Sequence, residues 1–368
     1  MLGAEPLSFL FFRHELLKAW KSAGLITLAA GAPSSDLRSN FERLGIKYLD
    51  YPVQRNGMNV PKDLKTFISL WKIFRDQRPD VVLAYTIKPV IWGGLALWFF
   101  PGIRFYALIT GLGYAFQSGS RQGWLTSLVS LLYRLSFLRA EKVIFQNAEN
   151  LEELVARGCV SRGKCARVYG SGINLSHFCV APLPANPMVF LGIGRLLGDK
   201  GVREFVNAAR WVHAEHPDVR FQWIGGSDPS PDGISWDEVR YWQDEGVLEY
   251  LGMTSDVRPY LAACHVFVLP SYHEGMPHST LEALATGRAV LTTDVPGCRE
   301  TVEQGLNGFL VPKADTAALA ERIIWFIKHP EVLLEMGQAS RRLAEERFDV
   351  HKVNAEMLRI MRLECVYH

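Results

Sequence analysis

Short apolar runs alternate along almost the whole chain with longer segments in which apolar residues recur every three or four positions. This alternation is typical of βαβ units, whose strands form parallel sheets. In the first half, the apolar runs predict strands at 25–32, 47–53, 81–86, 104–110 and 142–147. In the second half, they predict strands at 188–194, 219–225, 248–252, 265–270, 289–293 and 308–311. We therefore expect an α/β protein with two doubly wound, Rossmann-like halves.

A proline-rich segment, residues 179–187, separates the two series of strands. Such a segment cannot be helical and is typical of a linker. We place an N-terminal domain at 1–183 and a C-terminal domain at 184–346, which suits a chain of 368 residues. Residues 347–368 are predicted to form a C-terminal helix that packs back toward the N-terminal domain. Two such domains that face each other across a cleft would bind a ligand there, at the carboxyl ends of their strands.

Composition excludes several classes of protein. Hydrophobic residues make up 48% and charged residues 21% of the chain, as in a folded globular protein. The six cysteines form no C-x-x-C pair and no cluster at metal-ligand spacing, so neither a zinc site nor a disulfide framework is predicted. The longest uncharged apolar run, 89–103, is too short to cross a bilayer, and nothing at the N-terminus has the order of segments that marks a signal peptide.

Charge is distributed unevenly between the halves. Residues 1–185 carry 22 Lys and Arg against 12 Asp and Glu, a net charge of +10, whereas the remainder carries 18 against 26, a net charge of −8. Residues 81–140 contain no acidic residue, yet they carry five basic residues among many aromatic ones. This stretch suits either a membrane surface or a buried sheet with its helices, and both interpretations stay open. Nucleic acid is not an expected partner.

The stretch 271–282, SYHEGMPHSTLE, places Glu274 and Glu282 on either side of a turn that contains Gly275 and Pro277. A predicted strand ends before this turn and a helix is predicted to begin at Pro277. Backbone N–H groups should therefore converge at a helix N-terminus, which favours an anion. Two carboxylates would repel a phosphate, so their expected targets are hydroxyl groups. A sugar joined to a phosphate is the ligand that satisfies both conditions.

A second pair of residues strengthens this interpretation. Arg195 and Lys200, in GRLLGDKG, follow the strand predicted at 188–194 and precede a helix. Arginine binds phosphate with two parallel hydrogen bonds and lysine acts as a point charge, so together they could neutralise a diphosphate leaving group. Alone, each motif occurs by chance in many proteins, and two solvated surface cations would be the simpler explanation. The combination of the two motifs is much more specific.

These motifs resemble those of the retaining nucleotide-sugar glycosyltransferases of family 4, which have the GT-B fold. In the second half the resemblance is carried by GR at 194–195, KG at 200–201, FVLPSYHEGMPHSTLEA at 267–283, PGCRE at 296–300 and NGFLVP at 307–312. In the first half, TIKP at 86–89, GG at 93–94 and TGLGY at 110–114 resemble capsule- and O-antigen-type members, including those that extend undecaprenyl-diphosphate-linked sugars. The similarity covers roughly residues 11–350.

The resemblance implies a role for each residue of a donor site. Arg195 and Lys200 would contact the donor diphosphate, Glu282 would hold the ribose hydroxyls, and Glu274 would hold hydroxyls of the donor sugar. Arg195, Lys200 and Glu274 are the candidate catalytic residues. The donor site would be completed by Gly225, Gly226, Thr254, Gly275, Met276, Pro277 and His278. The family usually needs no metal and the chain has no D-x-D motif, so no metal and no cofactor are expected; the nucleotide-sugar is a substrate.

On the acceptor side, the resemblance and the positions of the predicted strand ends suggest Arg13, Lys88, Gly111 and Gly113. Arg13 matches a basic position that opens the first helix in relatives, although a surface position without function is an alternative. Relatives begin with a clear hydrophobic strand before that helix, whereas only residues 7–12 precede it here. The first strand is therefore expected to be shortened or missing. An incorrect start site, or a truncated copy with an incomplete acceptor domain, would explain this departure.

The sequence thus predicts a GT-B glycosyltransferase that moves a sugar with retention, from a UDP-sugar in particular, to an undecaprenyl-diphosphate-linked saccharide in surface polysaccharide or glycan biosynthesis. Its predicted location is the cytoplasm, peripherally associated with the inner face of the membrane. Two alternatives stay open. One is a nucleotide-sugar epimerase or soluble-acceptor transferase of the same fold, and the other is a catalytically inactive nucleotide-sugar-binding subunit.

Overall fold

The computed structural model describes residues 1–54, 59–113, 116, 123–185 and 187–363, without the side chains of residues 36 and 37. The chain divides into two compact units. One comprises Met1–Ser171 and the segment that begins at Val353, and the other comprises Gly172–Lys352. These boundaries differ from the ones expected from sequence, which were 183/184 and 346/347.

The proline-rich segment is anchored within the second unit, in contrast to the linker expected from its composition. Arg288 is fully buried, and its guanidinium donates to the carbonyl oxygens of Ala181 and Pro182, each at 2.9 Å. The side chain of Leu183 packs against the core of the second unit. A buried guanidinium needs acceptors for its N–H groups, and this segment supplies two of them.

The first unit contains two sets of parallel strands. β1 pairs with β2, and β3, β4, β5 and β6 form a four-stranded sheet in that order. Alternate residues of β3 and β4 belong to two separate hydrophobic cores, as expected for strands covered on both faces. The strands are β1 (Leu28–Gly31), β2 (Lys47–Asp50), β3 (Val81–Tyr85), β4 (Arg104–Ile109), β5 (Lys142–Phe145) and β6 (Cys165–Arg167).

Leu2 lies between β1 and β3 and forms parallel bridges to Ala30 and Ala84. Its N–H donates to the carbonyl of Leu83 at 2.8 Å, and its carbonyl accepts from the N–H of Tyr85 at 3.0 Å. Leu2 therefore occupies the place of a first strand, and the order across the unit becomes that of a doubly wound sheet.

Helices cover the strands of the first unit. Residues 7–12, considered above as the remnant of a first strand, belong to a helix that begins at Pro6, where the first turn tolerates proline. The helices are α1 (Pro6–Phe12), α2 (His14–Ser22), α3 (Ser35–Arg43), α4 (Val60–Gln77), α5 (Ile87–Ala96), α6 (Gly123–Arg139) and α7 (Ala148–Ala156). A single 3₁₀ turn, Leu97–Phe99, continues α5.

The second unit has a six-stranded parallel sheet. Its strands are β7 (Val189–Ile193), β8 (Arg220–Ile224), β9 (Glu249–Tyr250), β10 (Val266–Leu269), β11 (Ala289–Thr293) and β12 (Gly308–Val311). The order β12-β11-β10-β7-β8-β9 is that of a Rossmann sheet, whose direction of growth reverses between β7 and β10. Its helices are α8 (Val202–His213), α9 (Trp236–Asp244), α10 (Arg258–Ala263), α11 (His278–Thr286), α12 (Thr316–Lys328) and α13 (Leu333–Leu343).

The last helix, α14 (Val350–Met361), packs into the first unit. Val353, Met357 and Met361 join one of its cores, and the hydroxyl of Tyr106 donates to the carbonyl of Met361 at 3.0 Å. Within the described part of the chain, no helix has both the length and the apolar character needed to cross a membrane.

Candidate active site

The loops that follow β7 and β10 carry most of the residues predicted to bind the donor. Arg195 follows β7, and Ser271 and Glu274 follow β10. The hydroxyl of Ser279 donates to the carbonyl of Ile193 at 3.0 Å, which holds the first turn of α11 against the carboxyl end of β7. Arg195, Glu274 and the first turn of α11 therefore meet at the switch point, where doubly wound sheets bind their ligands.

Lys200 and Glu274 are in direct contact. The ammonium group of Lys200 donates to Oε1 of Glu274, and the hydroxyl of Ser271 donates to the same oxygen at 2.8 Å. The side chains of Lys200 and Glu274 are only 20% and 12% exposed. One ion pair therefore joins the motif that contains Lys200, which the sequence assigns to the diphosphate, to the motif that contains Glu274, which it assigns to the donor sugar.

Gly201 allows the turn that carries Lys200 to approach β10. Its φ is +70°, and a Cβ at this position would lie 2.1 Å from the carbonyl oxygen of Pro270. No side chain larger than hydrogen fits there without moving backbone. The glycine that follows Lys200 in the sequence motif is therefore required by packing between two strand ends.

Arg195 pairs with Asp228, a residue that the sequence analysis missed. Nη1 of Arg195 contacts Oδ2 of Asp228, and the N–H of Ser230 donates to Oδ1 at 2.9 Å. Burial acts to raise the pKa of Asp228, but its hydrogen bonds with Ser230 and the charge of Arg195 bring that pKa below its ordinary value. Asp228 is thus ionised and orients the guanidinium. Its signal in the sequence was its place four residues after β8, the neighbour of β7.

Gly225 and Gly226 lie at the end of β8. The φ of Gly225 is +153°, and a Cβ there would lie 1.8 Å from the carbonyl oxygen of Gly194. At Gly226 a Cβ would lie 3.3 Å from Sδ of Met253. Thr254 lies in the loop after β9, where its hydroxyl donates to the carbonyl of Asp256 and accepts from the N–H of Asp256, both at 3.1 Å. Its hydroxyl is therefore bonded within its own turn.

Helix α11 begins at His278, and Pro277 is its N-cap rather than its first residue. Nδ1 of His278 lies 3.0 Å from Oε1 of Glu282, one turn further along. The positive end of the helix dipole lies beside Gly275 and Met276, so an anion placed there would be stabilised. Glu274 and Glu282 have different partners, Lys200 and His278, which suits two different roles.

Arg13, on the acceptor side, is buried in the first unit with only 4% of its surface exposed. Its Nη1 donates to the hydroxyl of Ser171 at 2.9 Å, and its guanidinium carbon lies 5.2 Å from the centre of the Tyr85 ring. Burial lowers the pKa of Arg13 to about 10. Within the described residues its Nε has no hydrogen-bond partner. The alternative that Arg13 is a surface residue without function is therefore wrong about its exposure.

The other acceptor-side residues differ in their surroundings. Nζ of Lys88 lies 2.8 Å from Oδ1 of Asp63, and both side chains are nearly buried, so α4 supplies a partner that the sequence analysis missed. Gly113 has a φ of +68°, and a Cβ there would lie 2.8 Å from Cδ1 of Ile87. Gly111 has a φ of +155°, and a Cβ there would meet no atom of the described residues within 4 Å. Tyr114, which completes that motif, lies outside the described residues.

Thr86, at the start of the acceptor-side TIKP motif, has an uncommon backbone conformation. Its φ is +65° and its ψ is 162°, a backbone region that residues other than glycine rarely adopt. Its hydroxyl is buried and has no hydrogen-bond partner within the described part of the chain. Such strain at the end of a central strand is typical of functional sites.

No group of three His, Cys, Asp or Glu side chains within the described residues could hold a metal ion. Positive charge at the candidate site instead comes from Arg195, Lys200 and the N-terminus of α11. That the reaction needs no metal ion stays a prediction.

Two Rossmann-like units, one with paired cations and carboxylates at its switch point, define a GT-B nucleotide-sugar glycosyltransferase. Two family models match most of these units: "Glycosyl transferase 4-like domain" at residues 12–170 and "Glycosyl transferases group 1" at residues 187–329. The chain belongs to the group 1 glycosyltransferases. The predicted family and enzyme class are confirmed.

Curated relatives align over most of the chain. N,N'-diacetylbacillosaminyl-diphospho-undecaprenol alpha-1,3-N-acetylgalactosaminyltransferase of Campylobacter jejuni is 29% identical, over 92% of this chain and 91% of its own length. UDP-Gal:alpha-D-GlcNAc-diphosphoundecaprenol alpha-1,3-galactosyltransferase of Escherichia coli is 27% identical, over 82% of this chain and 80% of its own length. Both are glycosyltransferases by name, and neither supports the epimerase alternative.

A solved structure has the same fold. HepE of Anabaena, in complex with UDP-glucose, superposes with a TM-score of 0.78 at 17% identity and covers 98% of both chains. At this identity the likeness concerns the fold alone, and it confirms the predicted GT-B architecture of two Rossmann-like units.

Proposed function

We propose that this glycosyltransferase moves a sugar, with retention, from a UDP-sugar to a saccharide linked to undecaprenyl diphosphate, in the biosynthesis of a surface polysaccharide or glycan. The observation that carries the proposal is the ion pair of Lys200 with Glu274, beside Arg195, at the switch point of the second unit. The names of both curated relatives specify undecaprenyl-diphosphate-linked acceptors, and HepE was crystallised with UDP-glucose.

The chemistry follows from the charges at this site. When the bond between sugar and diphosphate breaks, negative charge grows on the leaving phosphate, and Arg195, Lys200 and the α11 N-terminus stabilise it. A diphosphate that binds Lys200 competes with Glu274 for the ammonium group. Glu274 then accepts hydrogen bonds from hydroxyls of the donor sugar, while Glu282 binds the ribose. Retention is achieved by front-face attack, with the leaving phosphate accepting the proton of the acceptor hydroxyl.

The proposed reaction needs no metal ion or cofactor, because two side-chain cations and a helix N-terminus supply the positive charge. Turnover by the purified enzyme should then be unchanged by EDTA. Loss of turnover with EDTA, restored by magnesium or manganese, would contradict this part of the proposal.

The acceptor is proposed to bind the first unit. The buried guanidinium of Arg13, which lacks a full set of partners within the described residues, suits the diphosphate of the lipid carrier. The net positive charge of the first half favours an anionic membrane, and the protein would act at the cytoplasmic face, peripherally associated. Membrane association should then fall between low and high ionic strength.

The first test is thermal stabilisation by UDP, GDP, ADP and CMP, with wild type, Arg195→Ala and Arg203→Ala in parallel. Arg203 is a matched control, because the side chains of Arg203 and Arg195 are equally exposed, at 41%, and each pairs with a carboxylate. A shift with UDP that is lost only in Arg195→Ala supports the donor assignment. Nucleotide binding without any transfer to a lipid-linked acceptor would favour the inactive binding subunit.

A further inference from the structure

The first unit exposes an apolar surface along α6 and the turn after α5. Its side chains are exposed by 38% to 68%, and we refer to them as the α6 face: Trp98, Phe99, Trp124, Leu131, Leu135 and Leu138. Single exposed apolar residues are common on proteins, but a contiguous group of this kind marks an interaction site.

The members of the α6 face form one surface. Trp124, Leu131, Leu135 and Leu138 are spaced by seven, four and three residues, so they lie along one stripe of the helix. The indole N–H of Trp98 donates to the carbonyl of Leu135 at 3.2 Å, which places the turn beside that stripe. The helix has 17 residues. Its length is therefore about 25 Å.

The fold itself does not need these side chains for its core. The opposite side of α6 supplies the core, where Val129, Tyr133 and Phe137 are buried. The indole N–H, the polar group of the Trp98 side chain, already donates a hydrogen bond to the carbonyl of Leu135. The rest of the exposed ring is apolar. Such a ring can enter an apolar environment without losing a hydrogen bond.

The charges around the α6 face select its partner. Residues 81–140 contain no Asp or Glu, and Arg134 is exposed on the same helix. The neighbouring α4, joined to the turn by the ring contact of Phe67 with Phe99 at 6.4 Å, exposes Lys65 and Lys72. A symmetric dimer through this face would bring like charges together, whereas anionic lipid headgroups would complement them.

We propose that the α6 face docks this protein on an anionic lipid bilayer. Its tryptophan and phenylalanine rings enter the headgroup region, as aromatic residues of membrane interfaces do, and the lysines of α4 contact the headgroups. The inference deepens the proposed function and rests on it only in the choice of a lipid surface, where a lipid-linked acceptor would be found.

The test is sedimentation of the full-length protein with vesicles of phosphatidylcholine and phosphatidylglycerol. The double variant Trp124→Ser/Leu131→Ser removes two exposed members of the face, and Trp211→Ser is the matched control, because Trp211 is 55% exposed on α8 of the second unit. The double variant is expected to bind vesicles at least about tenfold more weakly, and the control as wild type does. Stabilisation by UDP should be equal in all three proteins, which shows that they are folded.

Three outcomes would overturn the inference. They are no vesicle binding by the wild type, equal binding by the double variant, or a wild-type dimer that the double variant alone converts to a monomer without a change in vesicle binding. Transfer to a lipid-linked acceptor in detergent is measured separately. If that transfer fails while vesicle binding depends on the α6 face, the proposed function is wrong and the docking surface still holds.

Discussion

Lys200 and Glu274, which are 74 residues apart in the chain, form an ion pair at the switch point of the second unit. Because both side chains are largely buried, separating them costs free energy unless other groups replace the lost contact. A donor whose diphosphate contacts Lys200 and whose sugar contacts Glu274 provides both replacements at once. Binding of the two parts of the donor should therefore be coupled, which favours an intact nucleotide-sugar over its hydrolysis products.

Loss of either cation should impair turnover. We expect Arg195→Ala and Lys200→Ala to lower kcat by about a hundredfold, since each removes a group that stabilises charge on the leaving phosphate. Steady-state kinetics with the preferred UDP-sugar measures the effect, and Arg203→Ala should stay close to wild type. Near-normal kcat in both variants would show that these cations do not contact the diphosphate.

The two glutamates should differ in what their removal affects. Glu274→Gln keeps the size of the side chain but weakens its interaction with Lys200 and with sugar hydroxyls, so kcat and the choice among UDP-sugars should change more than affinity for UDP. Glu282→Gln should mainly weaken UDP binding. Calorimetric titration with UDP and competition among UDP-sugars distinguish these effects, and the reverse pattern would mean that the roles are exchanged.

Arg13 should affect the acceptor and not the donor. Replacing it by Gln removes the charge, and we expect KM for the lipid-linked acceptor to rise by about tenfold or more while KM for the donor stays constant. Arg43→Gln, at an exposed position on α3, is the control. Because Arg13 is buried, the thermal stability of each variant must be measured as well. A change in donor KM alone would argue against the acceptor assignment.

His265 should make the second unit sensitive to mild acid. It is buried beside β7, where its Nδ1 accepts a hydrogen bond from the N–H of Val189 at 3.1 Å, and burial lowers its pKa from the ordinary value of 6.5. Below pH 6.5 the unfolded chain binds a proton at His265 that the folded protein does not bind. The free energy of unfolding therefore decreases as the pH is lowered. The fall continues until the folded pKa is reached.

Urea denaturation at several values between about pH 7.5 and 5 tests this expectation, with His265→Gln as the comparison. The difference in stability between wild type and variant should change below about pH 6.5 and be constant above it. Parallel curves over the whole range would show that His265 does not contribute.

The strands were predictable because both faces of each sheet are covered, so central strands such as β10 are continuous apolar runs. β6 was missed because it is short, lies at the edge of its sheet and contains Cys165 and Arg167 rather than a run of large apolar residues. Leu2 was missed for a different reason. A single residue that bridges two strands leaves no pattern in the sequence.

The positions of the charged motifs assigned to the proposed donor site were also predictable, since these motifs follow the apolar runs of β7 and β10. Their partners were less so. Asp228 and Asp63 meet Arg195 and Lys88 only after folding, across 33 and 25 residues of sequence. The hydrogen bond of Arg13 with Ser171 likewise joins residues that are 158 positions apart, and local sequence carries no sign of such contacts.

The bonds of Arg288 determine where the protein could be divided. A fragment that began at residue 184, the domain boundary expected from sequence, would lack the carbonyls of Ala181 and Pro182. Two N–H groups of the buried Arg288 guanidinium would then lose their acceptors. It would be expected to aggregate or to melt early. Expression of the second unit alone should therefore start at Gly172, so that the fragment includes the proline-rich segment to which Arg288 is bonded.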